Sequence, residues 1–564
     1  MNRWLLLVFG LLLCGGQWAA AQTELLPVDH PATRTLIRAR EFGGIPEFPR
    51  EHLPISRRDA LRFLDAAAAD TMLPNSIRQS AAYHAASIGA DTARTPVAVL
   101  FKTGSDSPSQ LIVDDLFSNL PLAYFEFRDT ARGVRVIAEP ILDGQLRAAP
   151  NDDLQAIILQ AGAQLRGTLL DHVGFGARLT NGTIAGDTLL ALRDPRLKRA
   201  GKFGVIGQGR DVDFSSGHLR VQFGGLAAEL GRERVQLGGG LQESLLLGSL
   251  LPSNFDYLRL TAQFGRFAFS HIHASLLADA TLEQGTLPFG PFAEIPPKYV
   301  AAHLLSFGPF AGLRGSLGEA VIYSGRPFEI GYLNPFNFLK SQEHYLRDRD
   351  NSFMYASLSS NPFDGVFLEG EFMLDDLIFG NIGTNYWGNK TAWRVGGKAV
   401  AFPIEQSDIS VSYTRIEPYT YTHFDSIGAY VHDGAPLAAG GLEPNSYMIE
   451  GKIELVILPN LTATIGAAYG QHGANVVADT GLVRNVGGNI RQGFQGGRDS
   501  YEVTFLDGNI QKLTRLRLEV EYEILRDVHI RFTGFRNATI SNQPAATEED
   551  VQGWFGVRIG GGGN

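Results

Sequence analysis

A single cysteine, Cys14, stands in the whole chain of 564 residues, and it falls in an N-terminal stretch that reads as a removable leader. The mature chain then has none, which excludes disulfides, cysteine-zinc centres and thiol catalysis and suits a protein that crosses an oxidising compartment before it folds. Beyond the leader no stretch of 18 apolar residues occurs, so no membrane-spanning helix is available. Basic residues are scarce as well: 49 Lys and Arg stand against 59 Asp and Glu. That balance argues against a nucleic-acid partner, which calls for a basic face. No Gly-x-Ser-x-Gly elbow is present, and Gly204-Val205-Ile206-Gly207-Gln208-Gly209 is a poor match to a dinucleotide loop, a near-miss to be expected among 65 glycines. The chain is therefore expected to have no catalytic residues, no cofactor and no metal.

The leader itself is specific. Met1 to Arg3 is a basic start, Trp4 to Leu13 is apolar at every position but Gly10, and Ala19-Ala20-Ala21 before Gln22 has the small-residue spacing of a cleavage site. Residues 1–21 thus read as a signal peptide, too short to span a bilayer, which takes about 20 apolar residues. Leu11-Leu12-Leu13-Cys14 partly resembles a lipobox, but a small residue is expected where Leu13 stands.

Residues 22–115 form an expected N-terminal helical region and residues 116–564 a β-domain. A first helix is expected over Ala32 to Glu41, stopping at Gly43-Gly44. A second starts at Ser56 with Asp59 in its first turn, and a third runs from Pro74-Asn75-Ser76 to about Ser87. Such short helices need a packing partner.

From about Leu120 the apolar period becomes two. In Arg515-Leu516-Arg517-Leu518-Glu519-Val520-Glu521-Tyr522-Glu523-Ile524 every second residue is apolar and every intervening one is charged. After Leu525-Arg526-Asp527 the alternation resumes with Val528, Ile530 and Phe532, which predicts a tight hairpin. Similar runs occur at Leu219 to Phe223, Tyr257 to Phe264 and Ile409 to Thr414, and a last strand is expected over Trp554 to Ile559 with Phe555, Val557 and Ile559 on one face. A soluble sandwich also alternates, but strands of this length suit the roughly 9 to 11 residues of a tilted bilayer crossing. An Arg at the lipid midplane costs about 2–4 kcal/mol, so a face carrying five charges must line a wet lumen. At about 25 residues per strand and turn, the remaining chain supports roughly 16 to 20 strands.

Three groups of residues invite a chemical reading. His271-Ile272-His273 places two imidazoles on one strand face, but no third metal ligand is recognisable. Asp375-Asp376 point to opposite faces of a strand and are unsuited to joint acid-base work. Tyr323, Phe328, Tyr332, Phe336 and Phe338, with Arg326, Glu329, Asn334 and Asn337 among them, combine flat apolar rings with planar hydrogen-bonding groups. That mixture fits either a carbohydrate surface or an interfacial aromatic girdle with its loops.

At this segment the sequence resembles the Wzi-type capsule assembly protein family. The likeness is carried in order by Glu229-Leu230-Gly231-Arg232-Glu233 leading to Ser244-Leu245-Leu246-Leu247, then Gly318-Glu319-Ala320-Val321-Ile322-Tyr323-Ser324-Gly325-Arg326 running into Gly331-Tyr332-Leu333-Asn334-Pro335-Phe336. Asp350-Asn351, Asp375-Asp376, Tyr421-Thr422-His423, Tyr430 to Leu437 and Pro444-Asn445-Ser446 follow, and Pro54-Ile55-Ser56-Arg57 resembles the family's N-terminal region. Gly238-Gly239-Gly240 departs from the family pattern, where a tryptophan-glycine pair is expected.

The resemblance implies an all-β transmembrane barrel of about 18 antiparallel strands, plugged on its periplasmic side by the N-terminal helices. It also implies lectin-like binding of capsular polysaccharide or exopolysaccharide in the outer membrane of a Gram-negative bacterium. Arg326, Tyr332, Asn334, Asp350 and Trp387 are the candidate polysaccharide-binding residues. Expected partners are that polysaccharide, outer-membrane lipid and lipopolysaccharide, and the barrel assembly machinery during biogenesis. The alternative from the charged lumen alone is a porin or solute channel.

Overall fold

The computed structural model describes residues 22–89, 98–104, 110–111, 122–194, 196–197, 211–251, 253–278, 281–282, 293–478, 481–542 and 545–560. The expected signal peptide with Cys14, residues 204–209 and the change of period at Leu120 lie outside them.

Eighteen antiparallel strands close into a barrel. In chain order they are β1 (Val134–Ala149), β2 (Leu154–Leu169), β3 (Val173–Gly186), β4 (Asp211–Phe223), β5 (Leu226–Glu233) and β6 (Phe255–Phe264). Next come β7 (Phe267–Ser275), β8 (Lys298–Phe310), β9 (Leu313–Ser324), β10 (Asn351–Phe363), β11 (Val366–Asp376) and β12 (Lys390–Ala399). The wall is completed by β13 (Ser407–Ile416), β14 (Ser446–Leu458), β15 (Leu461–Ala474), β16 (Asn509–Leu525), β17 (Val528–Asn542) and β18 (Ala545–Ile559). The count falls inside the range expected from strand spacing. Closure is made by Gly553 to Ile559 of β18 against Leu142 to Ala148 of β1. The other end of that edge of β1 is taken by Leu122–Asp129, which in turn pairs with Ala98–Gly104.

Connections after even-numbered strands are mostly tight. Gly224-Gly225 joins β4 to β5, with Gly224 at φ +57° where an L side chain is strained, and Arg526-Asp527 joins β16 to β17. After most odd-numbered strands the chain makes long excursions, among them 234–254, 325–350, 417–445 and 475–508, with β1 to β2 and β17 to β18 the short exceptions. The barrel thus has a short-turn end and a long-loop end.

The alternation read from the sequence sets the two faces of the wall. Leu516 and Leu518 of β16, Phe532 of β17 and Phe555 and Val557 of β18 are exposed outward, and Phe532 stands opposite Phe555 in the register. Phe223, Phe264, Phe307, Phe310, Phe363 and Phe402 are exposed at the short-turn end, as in an interfacial belt. Inward, charges meet across neighbouring strands. Arg220, Glu229 and Arg259 are register neighbours on β4, β5 and β6, and Glu229 accepts from Arg220 at 2.7 Å and from the Tyr257 hydroxyl at 2.5 Å.

Three helices, α1 (Pro31–Phe42), α2 (Arg57–Ala69) and α3 (Asn75–Gly89), sit in the short-turn mouth and match the expected positions within two residues. Ser56 caps α2 by accepting the Asp59 amide, and α1 ends at Gly43 with φ +123°. Leu36, Phe48, Leu53, Phe63, Leu64, Ile77 and Ile88 form their shared core. Buried ion pairs fasten this plug to the wall. Arg50 makes a two-pronged contact with Glu369 of β11 at 2.7 and 3.2 Å and reaches Glu41 at 3.1 Å. Arg38 pairs with Asp408 of β13 at 2.9 Å, and Glu51 pairs with Arg314 of β9 at 2.8 Å. The His52 ring lies between the Ser270 and Ser306 hydroxyls at 2.9 and 2.7 Å.

The upper lumen is filled by the long loops folding inward. Gly239 and Leu245 donate their amides to Glu371 of β11 at 3.1 and 3.3 Å, and Leu245, Leu246 and Leu247 pack with Tyr421, Tyr430, Leu437 and Ile490.

Candidate loop-face site

Loop 325–350 begins where β9 ends and returns at β10, so the aromatic-polar segment singled out in the sequence lies at the long-loop end. Arg326 makes a two-pronged pair with Asp350, both contacts at 2.6 Å, and the Tyr332 hydroxyl donates to Asp350 Oδ2 at 2.7 Å. The Arg326 guanidinium lies 4.8 Å from the centre of the Tyr323 ring, and the Tyr323 ring in turn lies 5.2 Å from that of Tyr332. Burial, and then the hydrogen bond to the Asp350 carboxylate, holds the Tyr332 hydroxyl well above its ordinary pKa, so it stays a donor. The helix Leu339–Tyr345 then dips inward, and its Leu339 amide donates to Glu319 of β9 at 2.6 Å.

Arg326, Tyr332 and Asp350 are therefore one cluster, and its geometry shapes the loop. Tyr332 has 0 % exposure, so it presents nothing to solvent. Asn334 lies on the same loop but is exposed, donating to Asn337 at 3.1 Å and accepting the Phe336 amide at 3.1 Å. Trp387 belongs to a different loop, 377–389, where it stacks on Phe494 with ring centres 3.8 Å apart and planes 7° apart. Tyr419 and Tyr501 complete that aromatic group, and the Trp387 amide donates to the Tyr501 carbonyl at 3.1 Å.

The rings that do face solvent were not among the five candidate binding residues, although Phe336 belongs to the aromatic-polar segment noted in the sequence. Phe336 is 93 % exposed, and Tyr345, Phe379, Phe424 and Tyr501 are also exposed on the long loops, beyond the ends of the strands. Phe336 stands beside Asn334, Tyr345 follows His344 and Phe424 packs on His423, which gives the loop end flat apolar rings among amide and imidazole groups. No period in the sequence marks them, because a loop's inside and outside depend on its path.

The remaining sequence candidates are taken up in the packing of the barrel. His273 shares a 2.7 Å hydrogen bond with the Tyr323 hydroxyl, and His271 faces His303 with ring centres 6.2 Å apart. Asp375 accepts the Tyr421 amide at 2.6 Å, and the Lys390 ammonium lies 3.6 Å from Asp375 and 3.0 Å from the exposed Asp376, so a register shift between Leu374 and Asp376 brings both carboxylates to one lysine instead of the expected opposite faces. Among the described residues the set of ligand-type side chains drawn together is Glu343, His344 and Asp348, in which Glu343 already holds Lys340 at 2.8 Å and Ser352 at 2.7 Å.

A closed barrel with an apolar outer band, a charged lumen and no helix fit to span a bilayer among the described residues is an outer-membrane β-barrel. The sequence matches no protein-family model and no curated protein. Among solved structures the chain is similar to Wzi of Escherichia coli, described as an outer membrane protein involved in group 1 capsule assembly and a carbohydrate-binding β-barrel. The TM-score is 0.55 at 12% identity, covering 95% of this chain and 99% of that one. The fold is thus Wzi-like. OprD of Pseudomonas aeruginosa follows with a TM-score of 0.43 at 13% identity over 79% of this chain and 99% of that one. OccAB4 of Acinetobacter baumannii has a TM-score of 0.41 at 10% identity over 76% of this chain and 97% of that one.

Proposed function

We propose that the protein is a non-enzymatic, Wzi-type outer-membrane lectin that binds capsular polysaccharide or exopolysaccharide at its long-loop end and helps assemble or anchor it at the cell surface. The observation that carries this reading is the contrast between the two ends. The short-turn mouth is closed by three helices with buried ion pairs, while the long loops expose Phe336, Tyr345, Phe379 and Tyr501 beside amide groups. Pyranose C–H faces stack on such rings, and hydroxyls take the planar polar groups. In this reading residues 1–21 are removed on export and the short-turn end faces the periplasm. Lipopolysaccharide and lipid surround the wall, and the barrel assembly machinery inserts it. The Wzi structure is described as carbohydrate-binding, which agrees with the reading at the level of fold.

The test is retention of cell-bound polysaccharide with and without the gene, together with binding of that polysaccharide to purified protein. Retention unchanged and no binding would sink the proposal. A second reading, a solute channel, is favoured by the charged cavity of about 580 Å³ inside the lumen. Steady open-channel current across a planar bilayer would support it, whereas a plugged lectin conducts little.

A further inference from the structure

That lumen cavity runs along the wall formed by β15 to β18 and β1, from Arg34 at the plug to Arg196 below the long loops. Its composition departs from that of the chain. Among the described residues, eight arginines and five carboxylates line it, although the protein as a whole has a net charge of −10. Of the strand arginines that line the cavity, Arg517 and Arg531 are the more exposed. Arg517 is about half exposed and holds Glu519 at 2.5 Å, and Arg531 holds Glu521 at 3.0 Å. A guanidinium offers five N–H donors, so one such pair leaves others to a ligand.

The cavity also contains rings that no membrane argument explains. Phe555 and Val557 of β18 face lipid, so Trp554 between Gly553 and Phe555 faces inward, and it lines the cavity together with Phe535 of β17. The two rings meet edge to face at 5.6 Å, and the Arg147 guanidinium lies 5.1 Å from the centre of the Trp554 ring. The register puts Trp554 directly opposite Arg147 on β1 and Thr533 on β17, and Thr533 opposite Glu519 on β16. An aromatic platform flanked by guanidiniums in a wet, enclosed space is suited to a sugar ring that carries a carboxylate. The apolar face of the ring stacks, and the anion takes charge-assisted N–H donors.

We infer that the lumen cavity holds a short segment of an acidic polysaccharide, with one sugar ring on Trp554 and its neighbours' carboxylates on Arg517 and Arg531. The inference rests on the glycan-binding reading above and narrows it to uronate-type polymers that enter from the loop end. It is tested on the full-length protein in detergent, by titration with tetragalacturonate and with neutral maltotetraose, at low and at raised salt. Tetragalacturonate is expected to bind at least about tenfold more tightly than the neutral tetramer, and to weaken with salt. Trp554→Ala, and the double change Arg517→Gln with Arg531→Gln, should each lower its affinity about tenfold, the loss of one good stacking or charged contact. Trp554→Phe should restore most of the first loss, and Arg484→Gln, outside the cavity, should change nothing. Heat-modifiable migration on gels establishes that each variant is still a barrel.

Equal affinity for the two tetramers, or full binding by the folded cavity variants, overturns the inference. If cells still retain their polysaccharide in either case, the lectin reading survives without the lumen site. If neither tetramer nor cell polysaccharide binds, the lectin reading itself has failed.

Discussion

Asp350 receives both the Arg326 fork and the Tyr332 hydroxyl, so one carboxylate at the end of loop 325–350 gathers two side chains from its first part. Replacing Tyr332 by Phe removes a hydrogen bond to a charged group and should lower the opening free energy of the loop by about 1.5–3 kcal/mol. Asp350→Ala leaves the guanidinium with Glu329 at 3.8 Å as its remaining acid and should cost more, about 3–5 kcal/mol. Hydrogen exchange of the loop amides in the folded barrel measures both, and unchanged protection in Asp350→Ala would refute the assignment. Arg326 and Tyr332 were legible because charged and aromatic residues crowd one segment, and Asp350 through the family resemblance. Sequence reasoning did not find that Tyr332 is buried while Phe336 projects outward, since a loop has no period from which facing can be read. Asn334 belongs to the same segment and Trp387 lies outside it, and the fold puts neither in the cluster.

The plug helices show which features are local. Ser56, Asp59 and Gly43 marked helix ends correctly because a cap acts over three or four residues. Their fasteners were not legible, because Arg50 finds Glu369 across more than three hundred residues of chain. Glu369→Ala leaves Arg50 buried with Glu41 as its nearer acid and should weaken docking of the plug by about 3–5 kcal/mol. The expected outcomes are a larger bilayer current and faster proteolysis between α1 and α2.

Acid should act in the same direction. His84 is pushed down to about 3, first by burial and then by Arg526 and Arg34, with Glu521 opposing and His529 adding to the depression. His52 is held well below its ordinary value by burial, then by Arg314 and Arg259. Both rings are thus neutral when docked, whereas an undocked ring takes up a proton below about pH 6.5. Docking should therefore be unaffected above that pH and weaken below it, by about 1.4 kcal/mol per pH unit for each ring, until the docked ring itself titrates. Current or protease sensitivity compared at pH 7 and pH 5 reads this, and a plug as tight at the lower pH would contradict it.

Over the whole molecule, alternation sufficed to predict the wall, its wet interior and an approximate strand number. Each strand declares its two faces in its own residues, as β16 does with Leu516 and Leu518 against Arg517 and Glu519. Placing a charge on the lipid side tests this directly. Leu358 of β10 is 57 % exposed outward, and Leu358→Arg should destabilise the barrel by about 2–4 kcal/mol in lipid if it lies near the midplane. Urea titration of the protein folded into vesicles measures the loss, and a neutral result would mean that this face is not in lipid. What alternation could not supply is the filling of the lumen. The inward course of loops 234–254 and 417–445 is set by contacts such as those of Gly239 with Glu371, between residues far apart in the chain.

The closure between β18 and β1 has a mechanical meaning. β18 is zipped to β17 from Val528 opposite Ile559 to Asn542 opposite Ala545, but to β1 only from Gly553 to Ile559, less than half of its 15 residues. That join is as short as the one between β4 and β5, but no turn ties its two strands together, so it is a built-in tear line. Drawn from its C-terminus by the tip of a force microscope, the molecule should part first at that join and then peel hairpin by hairpin back toward β1, with β18 and β17 leaving together.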